Sequence, residues 1–416
     1  MNFLETCKLA ITTLSPIHIG CGEDFEPTNY VIDGKRLYTF DPVLLLRELG
    51  PQDHEKFASI VEKPDSLRLI QKFLYDRKST AGKIGRLSAD VVEAAQAFYD
   101  SRIGQVAQRE QGGKNVLNRL EIARTAFNPV SGQPILPGSS LKGAIRTAML
   151  DSLMGDRRYP VNTKDRDGKP LREGAVKKEA GRQNQRMIQE VLELSENAKL
   201  RFATDPFRFL KIGDAAFRPK HKTKGKDGAI KETERRPRIL FQVNLKKRPN
   251  KYDASGNINT LVECIPGSTP RVFMAQWTVE RKAGHGGNTP GLQLDFATVA
   301  NACNRFYLER FHAEASILKT NKYAEEWVGG VEKWLEPDGF LKKMMDDGQG
   351  FLLRVGRHSG AESVTVNAPR SIKIMKGKGQ QSEYAEAATT LWLAADNKEQ
   401  MGKLQPFGWV FVQRFA

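Results

Sequence analysis

The residues Ile135 to Arg146 read ILPGSSLKGAIR, a run whose types and spacing suit one kind of chemistry, the holding of a phosphate. Pro137-Gly138 turns the chain after a short extended run. A helix is predicted to begin at the serines, with Ser139 or Ser140 as its cap. The first turn of a helix has free N–H groups and the positive end of the dipole. Ser139 and Ser140 add hydroxyl donors, and Gly143 lets another backbone come close. Lys142 and Arg146 are four apart and share a helix face. This is an anion-binding arrangement in type. It is not a nucleotide P-loop, because the GxxxxGK[ST] spacing is missing. An ordinary capped helix with two exposed cations is the plainer reading of the same residues.

Two other clusters contain histidine. His18 is followed by Gly20 and Gly22, and His358 sits between Arg357 and Ser359 in the run GRHSGAES. No GxSxG elbow surrounds Ser359, which argues against serine hydrolase chemistry. Cys7, His18 and Cys21 lack a fourth ligand and any usual zinc spacing. Glu23 and Asp24 could hold Mg²⁺ only weakly, and a solvated turn explains them as well. His285 reads as a loop tip. No metal and no cofactor is therefore expected.

The charge points to a polyanion. The chain has 416 residues, with 65 Lys and Arg against 49 Asp and Glu, a net of +16. Residues 157–186 carry +6 and residues 218–251 carry +10, so the remaining residues sum to zero. Nucleic acid or an anionic membrane surface would balance such clusters. Solvated basic loops kept for solubility are the bland alternative. No run approaches the roughly 18 apolar residues of a membrane helix. Glu5 and Lys8 interrupt the apolar N-terminus, which does not read as a secretory signal. The four cysteines form no CxxC pair or disulfide framework, as expected of a reducing cytoplasm.

The elements that must position these residues are mixed. Residues 6–14 alternate as a half-buried strand, and Asp33-Gly34 marks a hairpin. Residues 42–118 read as a helical insertion, with Ser88 capping a helix whose Val91, Ala94, Ala95 and Phe98 share a face. Residues 119–137 return to an extended form, and 156–186 look like loop. The second half has strand patterns up to 280, helices over 294–346, and four closing strands from FLLRVG to WVFVQRF. This is an α+β class. Two units are expected: 1–200 with the insertion, and 201–416 with a basic loop at 218–238 and a glycine-rich loop at 283–291.

Four stretches, in order, resemble the RAMP proteins of CRISPR systems: LSPIHIGCGEDFEPTNYVID, PGSSLKGAIR, LLRVGRHSGAESV and LQPFGWVFV. They cover the first 40 residues, 119–150, 351–366 and 404–412; the middle of the chain has little that aligns. Order and length are most similar to a subunit of the type III-A Csm complexes. The resemblance implies two ferredoxin-like, RRM-type domains and a binding subunit without catalysis. Such a subunit sits at the end of the complex away from the polymerase-like subunit. It contacts the 3′ region of the CRISPR RNA (crRNA) and the last backbone subunit of the filament, with target RNA at its edge, while other nucleases trim the RNA. By the same resemblance Ser139, Ser140, Lys142, Gly143 and Arg146 are expected RNA or partner contacts. A second surface would be Gly356, Arg357, His358, Ser359 and Gly360, and a third Gly408 with Trp409; His18, Gly20 and Gly22 are further expected RNA contacts. The long helical insertion and the basic loop at 218–238 depart from the family pattern.

Two rivals stay open. Some RAMP nucleases use an early histidine as general base, and a metal-free ribonuclease also needs an acid and a cation. His18, Tyr30 and Arg146 supply the types. The other rival is a backbone RAMP subunit that cuts target RNA with a loop aspartate, which the length of this chain argues against. Phe25, Tyr30, Phe127 and Trp409 could stack on bases, although aromatic residues in strand patterns more often bury.

Overall fold

The structure, a computed structural model, describes residues 3–109, 115–117, 120–194, 204–224, 230–248, 260–280, 292–367, 370–375 and 382–415. Its first sheet is built around the strand Leu4–Thr13, which pairs antiparallel with Thr269–Glu280 on one side and Trp409–Phe415 on the other. Thr6 and Lys8 are exposed and Cys7 is half-buried, as alternation predicts. Leu9, Ala10 and Ile11 are successively buried. Helices explain part of that cover. Gly138–Met154 and Phe296–Thr320 pack against each other and on the sheet.

Leu210–Ile212 and Ala215–Phe217 pair with the far side of Thr269–Glu280. In chain order this is strand, helix, strand, strand, helix, strand, with the first strand between the third and the last. This is a mixed α+β unit. Ile135–Leu136 and Gly350–Arg354 extend its two edges.

The second sheet runs Gly20–Phe25, Ile122–Thr125, Leu261–Cys264, Arg238–Lys246, Leu87–Val91, Arg36–Thr39, Tyr30–Asp33, with Thr390–Ala395 also on Arg238–Lys246. Two of its pairings are parallel. Both sheets therefore draw strands from either side of residue 200, and the division expected there is not a boundary in either sheet. Periodicity identifies a strand, but its partners are set by contacts far away in sequence.

Three local expectations change. Leu87–Val91 is a strand, so Ser88 caps nothing and the following helix starts at Glu93. Alternation of Leu87, Ala89 and Val91 decided that segment over the helical spacing. The other helices of the insertion bury a small core of their own that includes Leu45, Ile60, Phe73 and Leu74. Residues 173–186, expected as loop, belong to a helix over Glu173–Val191. It is held by Val176, Met187 and Val191 and by the pairs Glu173–Lys177 at 2.8 Å and Arg186–Glu190 at 2.7 Å. The basic segment 218–238 contains a hairpin of Lys220–Lys224 and Ile230–Glu234. Glu232 lies 3.3 Å from Lys220 and 3.8 Å from Lys222, so part of the charge is answered locally. The expected glycine-rich loop at 283–291 lies outside the described residues. No helix among the described residues is long and apolar enough to cross a membrane.

Candidate nucleic-acid interface

The helix Gly138–Met154 starts directly on the edge strand Ile135–Leu136. Pro137 occupies the N-cap position, and no side chain caps it, in place of the expected serine. Gly138 is required by close approach: a Cβ there would sit 2.0 Å from the Ile212 carbonyl oxygen. Its N–H donates to Asp214 Oδ1 at 2.8 Å. The tip of the helix is thus pinned to the sheet, with Ser139 exposed and Ser140 half-buried beyond it.

The turn after Gly350–Arg354 is held from beneath. Arg354 and Glu314 form a buried pair at 2.8 Å. Trp409 Nε1 donates to the other Glu314 oxygen at 2.8 Å, and Arg354 Nε donates to the Phe407 carbonyl at 3.0 Å. Gly408, at φ +94, would place a Cβ 2.3 Å from the Val355 oxygen. Its carbonyl accepts from Val355 N–H at 2.8 Å. Above this base, Arg357 N–H donates to the His18 carbonyl at 2.9 Å and Ser359 Oγ donates to the Gly356 carbonyl at 2.9 Å. Ile19 N–H donates to Thr125 Oγ1 at 3.0 Å, which brings the Gly20–Phe25 strand alongside.

These elements enclose an open groove of about 650 Å³. Gly20 and Gly22 come from one wall, Ser139, Ser140 and Gly143 from the helix, and Gly356, Arg357 and Ser359 from the turn. Three motifs far apart in sequence meet in one place. The result is a groove with little side-chain bulk, hydroxyl donors at a helix start, and the exposed Arg357 at its edge. Such a surface can hold an anionic backbone without reading a particular base.

Other expected contacts do not line the groove. Arg146 is held by Asp205 through bonds of 2.9 and 2.8 Å, with its guanidinium over Phe207. Lys142 is half-buried near Asp205; burial lowers its pKa, and Asp205 opposes that shift. Gly408 and Trp409 are buried, so the third surface is core. His18 is fully buried, with Nδ1 donating to the Glu263 carbonyl at 2.9 Å and Nε2 without a partner. His358 packs on Trp392 and Phe407, and burial, with Arg357 and His18 nearby, pushes its pKa down to about 4. Gly360 is exposed but does not line the groove.

The acid–base set proposed from residue types is correspondingly spent. The Tyr30 hydroxyl donates to the Leu120 carbonyl at 2.7 Å, and burial raises its pKa well above the usual phenol value. His18 is enclosed, its pKa lowered by that burial, and Arg146 is paired. Phe25, Tyr30 and Trp409 are core, while Phe127 is half-buried with Arg124 stacked 3.6 Å from its ring centroid. Among the described residues no group of three or more His, Cys, Asp and Glu is placed to hold a metal ion.

Sequence reasoning missed Thr147, Arg354 and Val364, which also line the groove. Thr147 follows Gly143 by one helical turn and was legible from that spacing. Arg354 was not, because its partner Glu314 is on another element.

Behind the groove, Glu263 is fully enclosed and accepts from Thr125 N–H at 3.1 Å. Burial raises its pKa from 4.5 to about 7, against the opposing pull of Arg124 and the Thr125 N–H. The folded state thus holds a proton that the unfolded chain releases above about pH 4.5. Stability contributed by this group falls as pH rises from there to about 7, then stays low. Glu263→Gln is expected to be more stable than the parent at pH 8, by on the order of 3 kcal/mol. The difference should shrink toward zero near pH 4. Thermal midpoints over that range check it, and a variant less stable at every pH would show that the carboxylate is needed in its charged form.

With this geometry in hand, comparison with known proteins places the chain. A sequence model of the RAMP superfamily matches residues 10–336. The chain belongs to the RAMP superfamily. Among curated proteins, this RAMP protein is 31% identical over 157 residues to one from Streptococcus thermophilus named CRISPR system Cms protein Csm5. That match takes in 36% of this chain and 40% of the relative. A protein of the same name from Mycobacterium tuberculosis is 27% identical over 163 residues, 38% of this chain and 41% of that one. The matched stretch thus spans about two fifths of the length of these relatives.

Among solved structures, a chain of a Csm–crRNA–target RNA ternary complex of a type III-A CRISPR-Cas system aligns with a TM-score of 0.57 and 18% identity. The alignment covers 98% of this RAMP protein and 100% of that chain. The crystal structure of T. onnurineus Csm5 aligns with a TM-score of 0.50 and 16% identity, covering 97% and 99%. At these identities the two structures speak to the fold. Within the superfamily, the resemblance is to the fifth subunit of the type III-A Csm complexes.

Proposed function

We propose that this RAMP protein is a non-catalytic crRNA-binding subunit of a type III-A Csm complex. It caps the filament on the side of the crRNA 3′ end. There it contacts the last backbone subunit, with target RNA at its edge, and supports crRNA maturation and antiviral defence in the cytoplasm. The observation that carries this reading is the convergence of Gly20, Ser139, Gly143, Gly356 and Arg357 around one groove. Guide RNA differs in every such complex, so its binder must grip ribose and phosphate rather than letters. A surface of glycine turns, serine hydroxyls and an exposed arginine has that chemistry.

The second sheet, with its helical insertion, is read as the second RAMP-type unit, and the Lys220–Glu234 hairpin as a further basic contact. A ribonuclease reading is disfavoured by His18, whose ring is enclosed. Co-purification tests the proposal. A tagged copy expressed with the rest of its CRISPR locus should bring down guide-length RNA and other Csm subunits together. A copy that comes down alone, from cells in which the other subunits do assemble on RNA, contradicts it.

A further inference from the structure

Where the strand Thr269–Glu280 begins, positive charge gathers without an answer. Burial lowers the pKa of His221, and Arg235, Arg218 and Arg271 around it push the same way. Arg218 and Arg271 are exposed and Arg235 is half-buried. The carboxylates of the adjoining hairpin are taken, Glu232 by Lys220 and Lys222 and Glu234 by Arg236. Among the described residues no ion pair engages Arg218, Arg235 or Arg271. The cluster is nevertheless held in place. Arg271 N–H donates to Thr12 Oγ1 at 3.0 Å, and the Arg271 carbonyl accepts from Arg235 Nη1 at 3.4 Å. Like charges fixed this close favour an anionic partner.

Arg271 and His221 also stand in the wall of a cavity of about 360 Å³, which shares no lining residue with the first groove. Leu14, Pro270, Trp334 and Phe340 are among its other walls, and no acidic residue lines it. Trp334 and Phe340 come from consecutive helices, Glu325–Leu335 and Phe340–Asp346. They are 36% and 50% exposed. Single exposed apolar residues are ordinary, but two large ones in the wall of one cavity mark a contact surface.

Arginines accept phosphates and carboxylates alike, and the cavity decides between them. The surface that it offers is mostly apolar. A nucleobase entering it would lose the water on its polar edge with little in exchange, whereas an aliphatic or aromatic side chain carries no such cost. Trp and Arg, both presented here, are also the residues enriched at the centres of protein interfaces. We propose that this corner docks an acidic segment of a partner protein, with one bulky apolar side chain in the cavity and flanking carboxylates on Arg218, Arg235 and Arg271. The docking needs no RNA in the first groove.

The test measures binding of two fluorescein-labelled peptides, GDEFDEG and GDEADEG, to the full chain. The parent is expected to bind the phenylalanine peptide about ten-fold or more tightly than the alanine one, as burial of one large apolar side chain requires. Two variants then separate the parts of the site. Phe340→Ala should lose that preference for phenylalanine and keep its affinity for single-stranded RNA. Arg271→Asn should weaken both peptides alike, by about three-fold or more. Arg271 has φ +48, a conformation that asparagine also adopts, so this second variant keeps the fold. Equal affinity of the parent for the two peptides, or no binding of either at about 1 mM, overturns the proposal. Loss of RNA binding in Phe340→Ala also overturns it, because the occupant is then nucleic acid. Neither result touches the first groove, whose own test is Ser139→Asp.

Discussion

Glu314→Ala is expected to destabilise the protein by about 3–5 kcal/mol, the usual result of breaking a buried ion pair from one side. Arg354 and Glu314 side chains are only 6% and 7% exposed, at 2.8 Å from each other. The carboxylate also accepts from Trp409 Nε1, and the guanidinium lies 5.1 Å from the centroid of the Trp409 ring. Truncating Glu314 strands a buried cation and a buried indole N–H together. Arg354 leads directly into the turn that carries Gly356 and Arg357, so RNA affinity should fall with stability. Glu314→Gln keeps an acceptor for the indole and should lose less. Denaturant or thermal midpoints measure this, and an alanine variant within about 1 kcal/mol of the parent would remove the network from the account.

Ser139→Asp separates folding from binding. Ser139 is exposed in the first turn of its helix, where a carboxylate faces the positive end of the dipole. The variant should fold and gain about 0.3–1 kcal/mol. In the groove, however, the same carboxylate meets the RNA backbone. Two unit charges 4 Å apart repel by roughly 1 kcal/mol in water and about 4 kcal/mol at a protein surface. Affinity should therefore drop about ten-fold or more, since about 1.4 kcal/mol is a factor of ten.

Much of the groove was legible in the sequence because its parts are local. Ser139, Ser140 and Gly143 lie in the first turns of a helix that residue types mark, Gly20 and Gly22 lie in a strand, and Arg357 and Ser359 lie in a turn that the family resemblance marks; the structure brings them together. What was not legible is the fate of groups whose partners are remote. Arg146 reads as a free cation until Asp205, 59 residues away, takes both of its bonds. His18 reads as a loop histidine until Glu263, 245 residues away, closes over it. Gly408 sits in a glycine motif and looks like a ligand turn, yet its need is steric, set by the Val355 carbonyl. The same limit applies to the fold. The strands of the first sheet were visible one by one. The pairing of Leu4–Thr13 with Thr269–Glu280 and Trp409–Phe415 joins the two ends of the chain, and no local pattern announces it.

The central claim is that the groove between the Gly138–Met154 helix and the Arg357 turn grips an RNA backbone. The most direct measurement is equilibrium binding of a labelled single-stranded RNA across a salt series, for the parent chain and for Ser139→Asp. The account predicts salt-sensitive binding by the parent, with log K falling by about 0.7 per phosphate neutralised for each unit of log salt. It also predicts a loss of about ten-fold or more in a Ser139→Asp protein whose melting point is equal or higher. Binding by that folded variant as tight as the parent's, at every salt concentration, would place the RNA elsewhere and contradict the account.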